Sequence, residues 1–370
     1  MILHIIEQHS AGLYYVGKFE EMFPQRNITI FIKGRNNVEI FRNGDVTPFS
    51  SIKKAVSHLN FDEIKIVLAE FVSFRKEYII LKYIPKSKPI VWWMFGGDLY
   101  DHFLYYKGYK LYALQTADYR HRHWKQQNIW KQIAFRFFKP LQKNIIDYLF
   151  LKRVIGVISC VPPDYYLSCR LFKHPIEFVD IHPHFIILDL PFATGNDIMV
   201  GHSASMTCNH LYILDIIRGI DIKQSELHLT LSYNIQRDGY RTEVMEKYSN
   251  CFDDHVKFIL DYMDKNTYRR SFLNYKVAIF GSWRQEALAN IYICFQVGVK
   301  VFLSINNPCL DHFRKEGYYV YALEDIKSPE DFNPLTLEQK EHNRSVFIEK
   351  KEKRDAIVAN NMKDYFLKYV

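Results

Sequence analysis

Residues 201–210, GHSASMTCNH, place a glycine, three small hydroxyl residues and two histidines between an apolar strand-like run and an apolar helix-like run. A polar turn at a helix start presents backbone N–H groups, and the positive end of the helix dipole favours an anion there. We therefore expect Ser203, Ser205 and Thr207 to bind a phosphate, directly or through the backbone. An ordinary helix cap is the alternative, and His210 could donate to a phosphate oxygen or pack within such a cap.

A second polar turn follows the apolar run 90–95 and contains Gly96, Gly97 and Asp98. Two glycines allow a ligand to approach the backbone closely. Asp98 could act as a general base, bind a ligand or cap a helix. His9, which follows the first strand-like run, is the rival base.

Short apolar runs rich in β-branched and aromatic residues alternate with helical or polar stretches along the chain. This alternation predicts parallel strands joined by crossover helices. The strand-like runs are 2–6, 28–33, 64–71, 90–95, 154–159, 197–201, 226–233, 276–280, 299–304 and 318–323. In the second half, helices are expected at 209–219, in two stretches within 240–264, and at 286–297.

The pattern divides the chain into residues 1–190, 191–335 and a helical tail at 336–370. Two Rossmann-like halves with parallel sheets facing a central cleft, followed by a helical tail, are typical of the α/β GT-B glycosyltransferase architecture. In that architecture an acceptor enters from the first domain and a nucleotide-sugar lies against the second. Open parallel sheets bind ligands at the carboxyl ends of their strands, and the loop 201–210 lies at such an end.

The positive charge of the chain is concentrated in one segment. The net charge is +8, and residues 102–143 carry nine Lys or Arg against the single acid Asp118, which accounts for the whole surplus. The same segment has apolar residues at helical spacing, at Trp130, Ile133, Ala134, Phe137 and Leu141. A basic, aromatic, amphipathic segment is typical of contact with an anionic membrane surface. A helix packed on its own core is the alternative, and no nucleic-acid motif accompanies the charge.

The cysteines predict a reducing compartment, and the histidine pairs predict that no metal is bound. Six scattered cysteines without a CxxC pair, together with no signal-peptide pattern, predict free thiols in a reducing compartment. No apolar run is long enough to span a bilayer. The tight pairs His121/His123 and His182/His184 have no evident further ligand at metal spacing, so we expect no metal and no cofactor.

Four stretches together resemble one enzyme family. They are WWMFGGDLYD (92–101), VGHSASMTCNHL (200–211), LTLSYNIQRDGY (229–240) and GSWRQEALANIYICFQVGVKVFLSINNP (281–308). In this order they resemble the TDP-N-acetylfucosamine:lipid II N-acetylfucosaminyltransferases, glycosyltransferase family 56.

The resemblance implies that Gly201, His202 and Ser203 contact the sugar donor, with His202 standing where the family has Asn. Tyr233 could stack on a pyrimidine or be a buried tyrosine with a bonded hydroxyl. Asn306 and Asn307 could contact the donor sugar or simply form a turn. The remaining expected donor-binding residues are Ser205, Thr207, His210, Ser232, Gln285 and Glu286.

Arg284 is the expected electrophilic residue. Its guanidinium would offset the negative charge that develops on the leaving diphosphate, and a surface ion pair is the alternative. Glu286 could bond a ribose or sugar hydroxyl. In the first domain Trp92, Gly96, Gly97 and Tyr100 are the expected acceptor contacts.

The sequence thus predicts a metal-independent glycosyltransferase that moves a deoxyamino sugar, N-acetylfucosamine-like, from a TDP- or UDP-activated donor. The acceptor would be a lipid-linked saccharide, and the protein would lie on the cytoplasmic face of the plasma membrane, without nucleic acid as a partner. The alternative is a non-catalytic peripheral membrane protein that binds a nucleotide-sugar or a lipid-linked glycan.

Overall fold

A computed structural model describes most of the chain and divides it into two compact units. The first unit comprises Met1–Tyr109, Trp130–Pro183 and Asp355–Val370, and the second comprises Lys110–Ile129 and His184–Arg354. The described residues are 1–7, 10–34, 37–125, 139–180, 186–222, 224–235 and 239–370. His9 and much of the basic segment, including Trp130, Phe135, Phe137 and Phe138, lie outside these ranges, as do His182 and His184.

In the described part of the first unit, eight strands form one sheet in the order β4-β3-β2-β1-β5-β6-β7-β8. They are β1 (Ile2–Glu7), β2 (Asn27–Ile32), β3 (Val38–Arg42), β4 (Asp45–Phe49), β5 (Ile66–Glu70), β6 (Ile90–Trp93), β7 (Val154–Ser159) and β8 (Glu177–Asp180). Strands β3 and β4 are an antiparallel extension, and the other pairings are parallel. Because the parallel strands are buried on both faces, they read as continuous apolar runs.

The second unit contains a parallel sheet with the order β11-β10-β9-β12-β13-β14 among its described residues. Its strands are β9 (Asp197–Val200), β10 (Leu227–Thr230), β11 (Val256–Ile259), β12 (Tyr275–Phe280), β13 (Lys300–Leu303) and β14 (Tyr321–Ala322). Counted within the unit, this order is 3-2-1-4-5-6, that of the doubly wound dinucleotide-binding fold. The order reverses between β9 and β12, and ligands bind at such a switch point, beyond the carboxyl ends of the strands.

Helices connect these strands as the crossover pattern requires. The α-helices are α1 (Ser10–Met22), α2 (Ile52–Ser57), α3 (Phe74–Tyr83), α4 (Leu114–Lys125), α5 (Lys139–Leu151), α6 (Pro162–Ser168), α7 (His210–Ile217), α8 (Tyr240–Phe252), α9 (Lys265–Ser271), α10 (Leu288–Val297), α11 (Cys309–Lys315) and α12 (Leu337–Leu367). A π-helical turn covers Asp98–Leu104. No helix in the part of the chain that the structure describes is both long and apolar enough to cross a bilayer.

The predicted alternation of strands and helices is confirmed, with local differences. The sequence pattern predicts two helical stretches within 240–264, but the chain leaves α8 at Phe252 and forms the strand β11. The VKFI sequence of β11 has the β-branched and aromatic residues that favour strands. The hairpin of β3 and β4 and the edge strand β8 are also absent from the prediction.

The C-terminal helix α12 contributes to the cores of both units. In the first unit, Tyr365 and Phe366 are buried with Phe19, and the rings of Phe19 and Phe366 lie 5.2 Å apart. In the second unit, Arg344 donates from Nη2 to the carbonyl oxygen of Leu190 at 3.0 Å. Lys340 donates to the carbonyl oxygen of Ala193 at 2.8 Å.

A buried ionic cluster joins α3, the π-helical turn and α5 in the first unit. Lys143 donates to both carboxylate oxygens of Asp147, at 2.7 and 2.6 Å, and His102 Nε2 lies 2.8 Å from Glu77 Oε2. Lys143 is only 6% exposed, so it does not face a membrane, contrary to its inclusion in the basic segment. Burial raises the pKa of Glu77 to about 8, although Lys143 and Asp147 oppose the shift.

We expect Glu77→Gln to stabilise the protein increasingly as the pH rises from about 4.5 to about 8. Over that window the folded wild-type chain keeps a proton on Glu77 that the unfolded chain has lost. Its stability therefore falls by at most about 1.4 kcal/mol per pH unit. Thermal unfolding midpoints of both proteins across pH 5 to 9 measure the difference. The side chain of Glu21 is 66% exposed, so Glu21→Gln should give a far smaller difference, and parallel profiles for Glu77→Gln would contradict the assignment.

Candidate functional site at the switch point of the second sheet

Two loops meet at the switch point of the second sheet. The loop 201–209 connects β9 to α7, and the loop 281–287 connects β12 to α10. The N–H of Gly201 donates to the carbonyl oxygen of Ile279 at 2.9 Å, which holds the first loop against β12. The sequence-predicted residues of both loops are therefore brought together within one unit.

Asn209 fixes the shape of the first loop. It is fully buried, it has the left-handed φ of +50°, and its amide nitrogen donates to the carbonyl oxygens of Leu111 and Gly281 at 3.2 and 3.1 Å. Its Oδ1 accepts from the N–H of Ala113 at 3.1 Å. Asparagine tolerates the left-handed region better than most residues, so this residue can both turn the chain and bond the neighbouring loop.

Glu286 is the centre of a buried polar network. Its Oε1 accepts from Arg284 Nη2 at 2.7 Å and from Thr207 Oγ1 at 3.1 Å, and its Oε2 accepts from Ser282 Oγ at 3.0 Å. Burial alone would raise the pKa of this carboxyl, but the charges of Arg284 and His202 hold it well below the usual range. Glu286 is therefore an anion throughout the physiological range, and Arg284 forms a buried ion pair, not a surface one.

His202 lies between the two loops. Its Nδ1 is 3.4 Å from Cys208 Sγ, and its Nε2 is 3.6 Å from Glu286 Oε1. Burial acts to lower the pKa of His202, but Cys208 and Glu286 outweigh it and raise that pKa to about 10. Two basic side chains, Arg284 and His202, therefore lie close to the single carboxylate of Glu286. A buried positive charge at a switch point suits an anionic ligand.

The small hydroxyl residues of the first loop are already engaged within the loop. Ser203 Oγ lies 3.3 Å from Cys208 Sγ, and Ser205 Oγ lies 2.8 Å from Thr207 Oγ1. All three hydroxyl residues are buried. Their hydroxyls therefore shape the loop, and its backbone is the better candidate for contact with a phosphate.

A groove of about 230 Å³ opens beyond the carboxyl ends of β10 and β11. It is lined by the predicted residues His202, Ser232 and Tyr233, and also by Thr230, Ile259, Tyr262, Met263, Lys265, Tyr268 and Asn290. Tyr233 is 64% exposed, so it is not the buried tyrosine of the alternative. The additional residues after β11 were missed because the pattern there predicts a helix; recognition of VKFI as a strand would have revealed them.

The other predicted donor contacts lie apart from the network. Asn307 Oδ1 accepts from the N–H of Cys309 at 2.9 Å, which is the bond of an ordinary turn before α11. Asn306 is exposed, and Gln285 is half-buried beside Arg284 in the chain. The carboxylate of Glu324, which the sequence analysis did not single out, accepts from Ser304 Oγ and Tyr212 Oη, both at 2.7 Å.

In the first unit, the predicted acceptor residue Trp92 bonds a buried carboxylate. Asp98 Oδ2 accepts from Trp92 Nε1 at 2.8 Å and from the N–H of Val72 at 3.1 Å, and Oδ1 accepts from the N–H of Phe95 at 2.9 Å. Asp98 is 1% exposed, and Trp92 and Tyr100 are fully buried. A general base must reach the proton that it removes, so these positions favour a structural role for all three side chains over contact with an acceptor.

Gly96 and Gly97 allow the backbone conformation of the turn between β6 and the π-helical turn. Gly96 is buried and has a φ of +87°, where a side chain would be strained. Gly97 is half-buried and directly precedes the π-helical turn.

No family model matches the chain, and no curated protein matches its sequence. Solved structures do match its fold. Sucrose-phosphate synthase from Thermosynechococcus elongatus is 13% identical, with a TM-score of 0.60 over 99% of this chain and 98% of that chain. The UDP-forming α,α-trehalose-phosphate synthase from Burkholderia vietnamiensis is 6% identical, with a TM-score of 0.58 over 99% of both chains.

A third similar structure contains a ligand. Anabaena HepE, solved in complex with UDP-glucose, is 11% identical, with a TM-score of 0.54 over 100% of this chain and 95% of that chain. The fold is therefore that of the GT-B glycosyltransferases, as the alternation of strands and helices predicts.

We expect Gly201→Ala to disturb the first loop more than its backbone strain alone would explain. Gly201 has a φ of +67°, and a Cβ there would lie 2.6 Å from His210 Nε2. The substitution should cost roughly 2 to 3 kcal/mol, from left-handed strain and overpacking. Chemical denaturation of the purified variant measures this cost.

Gly219 supplies the matched control, since it has a φ of +83° and no described atom would lie within 4 Å of its Cβ. Gly219→Ala should cost only about 1 kcal/mol. In the His210→Ala background, Gly201→Ala should cost less than it does in the wild type, because only the left-handed strain remains. Equal costs at the two glycines would show that the contact with His210 does not matter.

Proposed function

We propose that the chain is a glycosyltransferase that takes its sugar from a nucleoside-diphosphate-sugar. The observation that carries the proposal is the buried network around Arg284 and Glu286 at the switch point of the second sheet, beside a groove lined by tyrosines. The diphosphate would lie against the backbone of the loop 201–209 and near Arg284. The nucleoside would occupy the groove beside Tyr233, where an exposed aromatic ring can stack on a base.

In this proposal Arg284 stabilises the leaving diphosphate. Negative charge grows on that group as the bond to the sugar breaks, and a preorganised guanidinium in a buried site needs little reorganisation to offset it. Glu286 orients Arg284 through the 2.7 Å bond and limits the positive charge in the absence of a ligand. His202, held as a cation, adds a second favourable charge.

The finer identity of the substrates rests on the family resemblance. A TDP- or UDP-linked N-acetylfucosamine-like sugar is the proposed donor, and a lipid-linked saccharide is the proposed acceptor. His9, which follows β1 in the sequence, is the proposed base for the acceptor hydroxyl, because the contacts of Asp98 favour a structural role.

The proposed location is the cytoplasmic face of the plasma membrane, and an exposed apolar face of the first unit supports the membrane contact. On α5, directly after the basic segment, Ile145, Tyr148 and Leu149 are 55%, 50% and 46% exposed. Residues at this spacing share one face of a helix. Lys152 is exposed beside them, and Lys173 Nζ lies 5.4 Å from the centre of the Tyr148 ring. Apolar side chains flanked by lysines fit an anionic membrane surface.

The proposed donor class is tested by thermal shift with TDP, UDP, GDP, CDP and ADP. A ligand that binds only the folded chain stabilises it by about 2.7 kcal/mol at one hundred times its dissociation constant. We expect a shift with TDP or UDP only. Arg284→Lys keeps the charge but loses the planar fork, so it should weaken binding roughly ten-fold and reduce donor hydrolysis further.

Arg218→Lys is the control for this substitution, since Arg218 is 63% exposed and pairs with Asp215. It should leave both the shift and the hydrolysis unchanged. A protein that binds the nucleotide but never turns over its sugar-linked form would be the non-catalytic binder. No shift with any nucleotide would overturn the proposed donor site.

The membrane contact is tested by flotation with anionic and zwitterionic vesicles. Burial of one such side chain contributes roughly 1.5 to 3 kcal/mol when it is complete. The variant Ile145→Ser/Leu149→Ser should therefore lose at least about ten-fold in binding to anionic vesicles. Leu337→Ser, at a leucine that is 62% exposed in the second unit, should bind as the wild type does. Equal binding by all three proteins would refute the proposed contact through α5.

A further inference from the structure

The loop 201–209 and the loop 281–287 bring together three side chains whose chemistry goes beyond donor binding. His202, Cys208 and Glu286 each place one ligand atom within 4.8 Å of the other two. Imidazole, thiolate and carboxylate are the three groups from which proteins build zinc sites. Two ligands of one tetrahedral zinc ion lie roughly 3.5 Å apart, given Zn–N and Zn–S bonds of about 2.0 and 2.3 Å. Small side-chain rotations would therefore bring these three atoms onto one ion.

A fourth residue provides an independent observation. His210 is fully buried, and neither of its ring nitrogens has a hydrogen-bond partner among the residues that the structure describes. Buried polar groups are nearly always paired, so such a group calls for an explanation. A neutral imidazole keeps a lone pair on one of its two nitrogens, and no described donor uses that lone pair in His210.

The position of His210 is set by the turn that also positions the other ligands. Its Nε2 faces the α-carbon of Gly201, the residue directly before His202, and any Cβ at that point would lie 2.6 Å away. His210 also interacts electrostatically with His202 and Glu286. The unpartnered imidazole thus lies beside the three-residue cluster.

We propose that His202, Cys208 and Glu286 bind a divalent zinc-like ion, with the unpartnered imidazole of His210 beside the site. Cys208 gives up its thiol proton to solvent and the cationic His202 gives up its second ring proton, so each ligand offers a lone pair and the ion replaces the positive charge of His202. Binding takes Glu286 away from Arg284, which couples the ion to any anion that Arg284 holds. The ion site itself does not depend on the proposed transferase activity.

The test is a titration of the purified, reduced, full-length protein with Co²⁺ in the absence of nucleotide, followed by competition with Zn²⁺. A thiolate ligand produces a sulfur-to-cobalt charge-transfer band that oxygen and nitrogen ligands cannot produce. We expect one equivalent of Co²⁺ to give this band and Zn²⁺ to abolish it. Cys208→Ser should remove the band, and Glu286→Gln should keep it but weaken binding at least ten-fold.

Two controls separate this site from others. Cys169→Ser removes an exposed thiol and should leave the band intact. His228→Asn disrupts another group, formed by Asp197, Glu226 and His228, which has no sulfur and cannot give the band. Circular dichroism shows whether each variant is folded, and Cys208→Ala replaces Cys208→Ser if the latter is not. The proposal is overturned if cobalt binds without the band, or if the band is unchanged in the folded Cys208 variant. A failure to bind nucleotide would contradict the proposed transferase but not this metal site.

Discussion

The ion pair between Arg284 and Glu286 is the interaction on which the second unit's polar site depends. A buried arginine without a partner would be costly, and so would a buried carboxylate. The two groups are paired at 2.7 Å, so each offsets the cost of burying the other. The hydroxyls of Thr207 and Ser282 donate further hydrogen bonds to the carboxylate. Removal of Glu286 would leave the buried guanidinium of Arg284 without its carboxylate partner, and such an unpaired buried charge is strongly destabilising.

The ion pair exists because two loops distant in sequence leave adjacent strands at the same edge of the sheet. Strand order places β9 beside β12, and parallel pairing brings both carboxyl ends together. Asn209 then ties the first loop to the second through the carbonyl oxygen of Gly281. A buried amide or carbonyl group that lost its hydrogen-bond partner would destabilise the fold. The bond between Asn209 and Gly281 therefore fixes the two loops relative to each other.

The local pattern of the chain predicts most strands because their physical cause is local. Buried parallel strands need continuous apolar residues, and β1, β7 and β12 read that way without any knowledge of their neighbours. The same reasoning fails at β11, whose short, half-exposed edge strand has no continuous apolar run. Because that strand was read as a helix, the groove residues Tyr262 and Lys265 could not be placed beside Tyr233.

The sequence by itself determined the fold class, because the periodicity of apolar residues acts locally. It also identified the loop 201–210 as a polar turn and Arg284 as a charged residue of the site, because residue type is read directly from the chain. Only the tertiary structure decided what these groups do to one another. Burial and the three donors around Asp98 favour a structural role for this carboxylate, which the sequence predicts as a base. The approach of His202 to Cys208 and Glu286 created a cluster that no spacing in the chain contains, since its members come from two loops that meet only when the sheet forms.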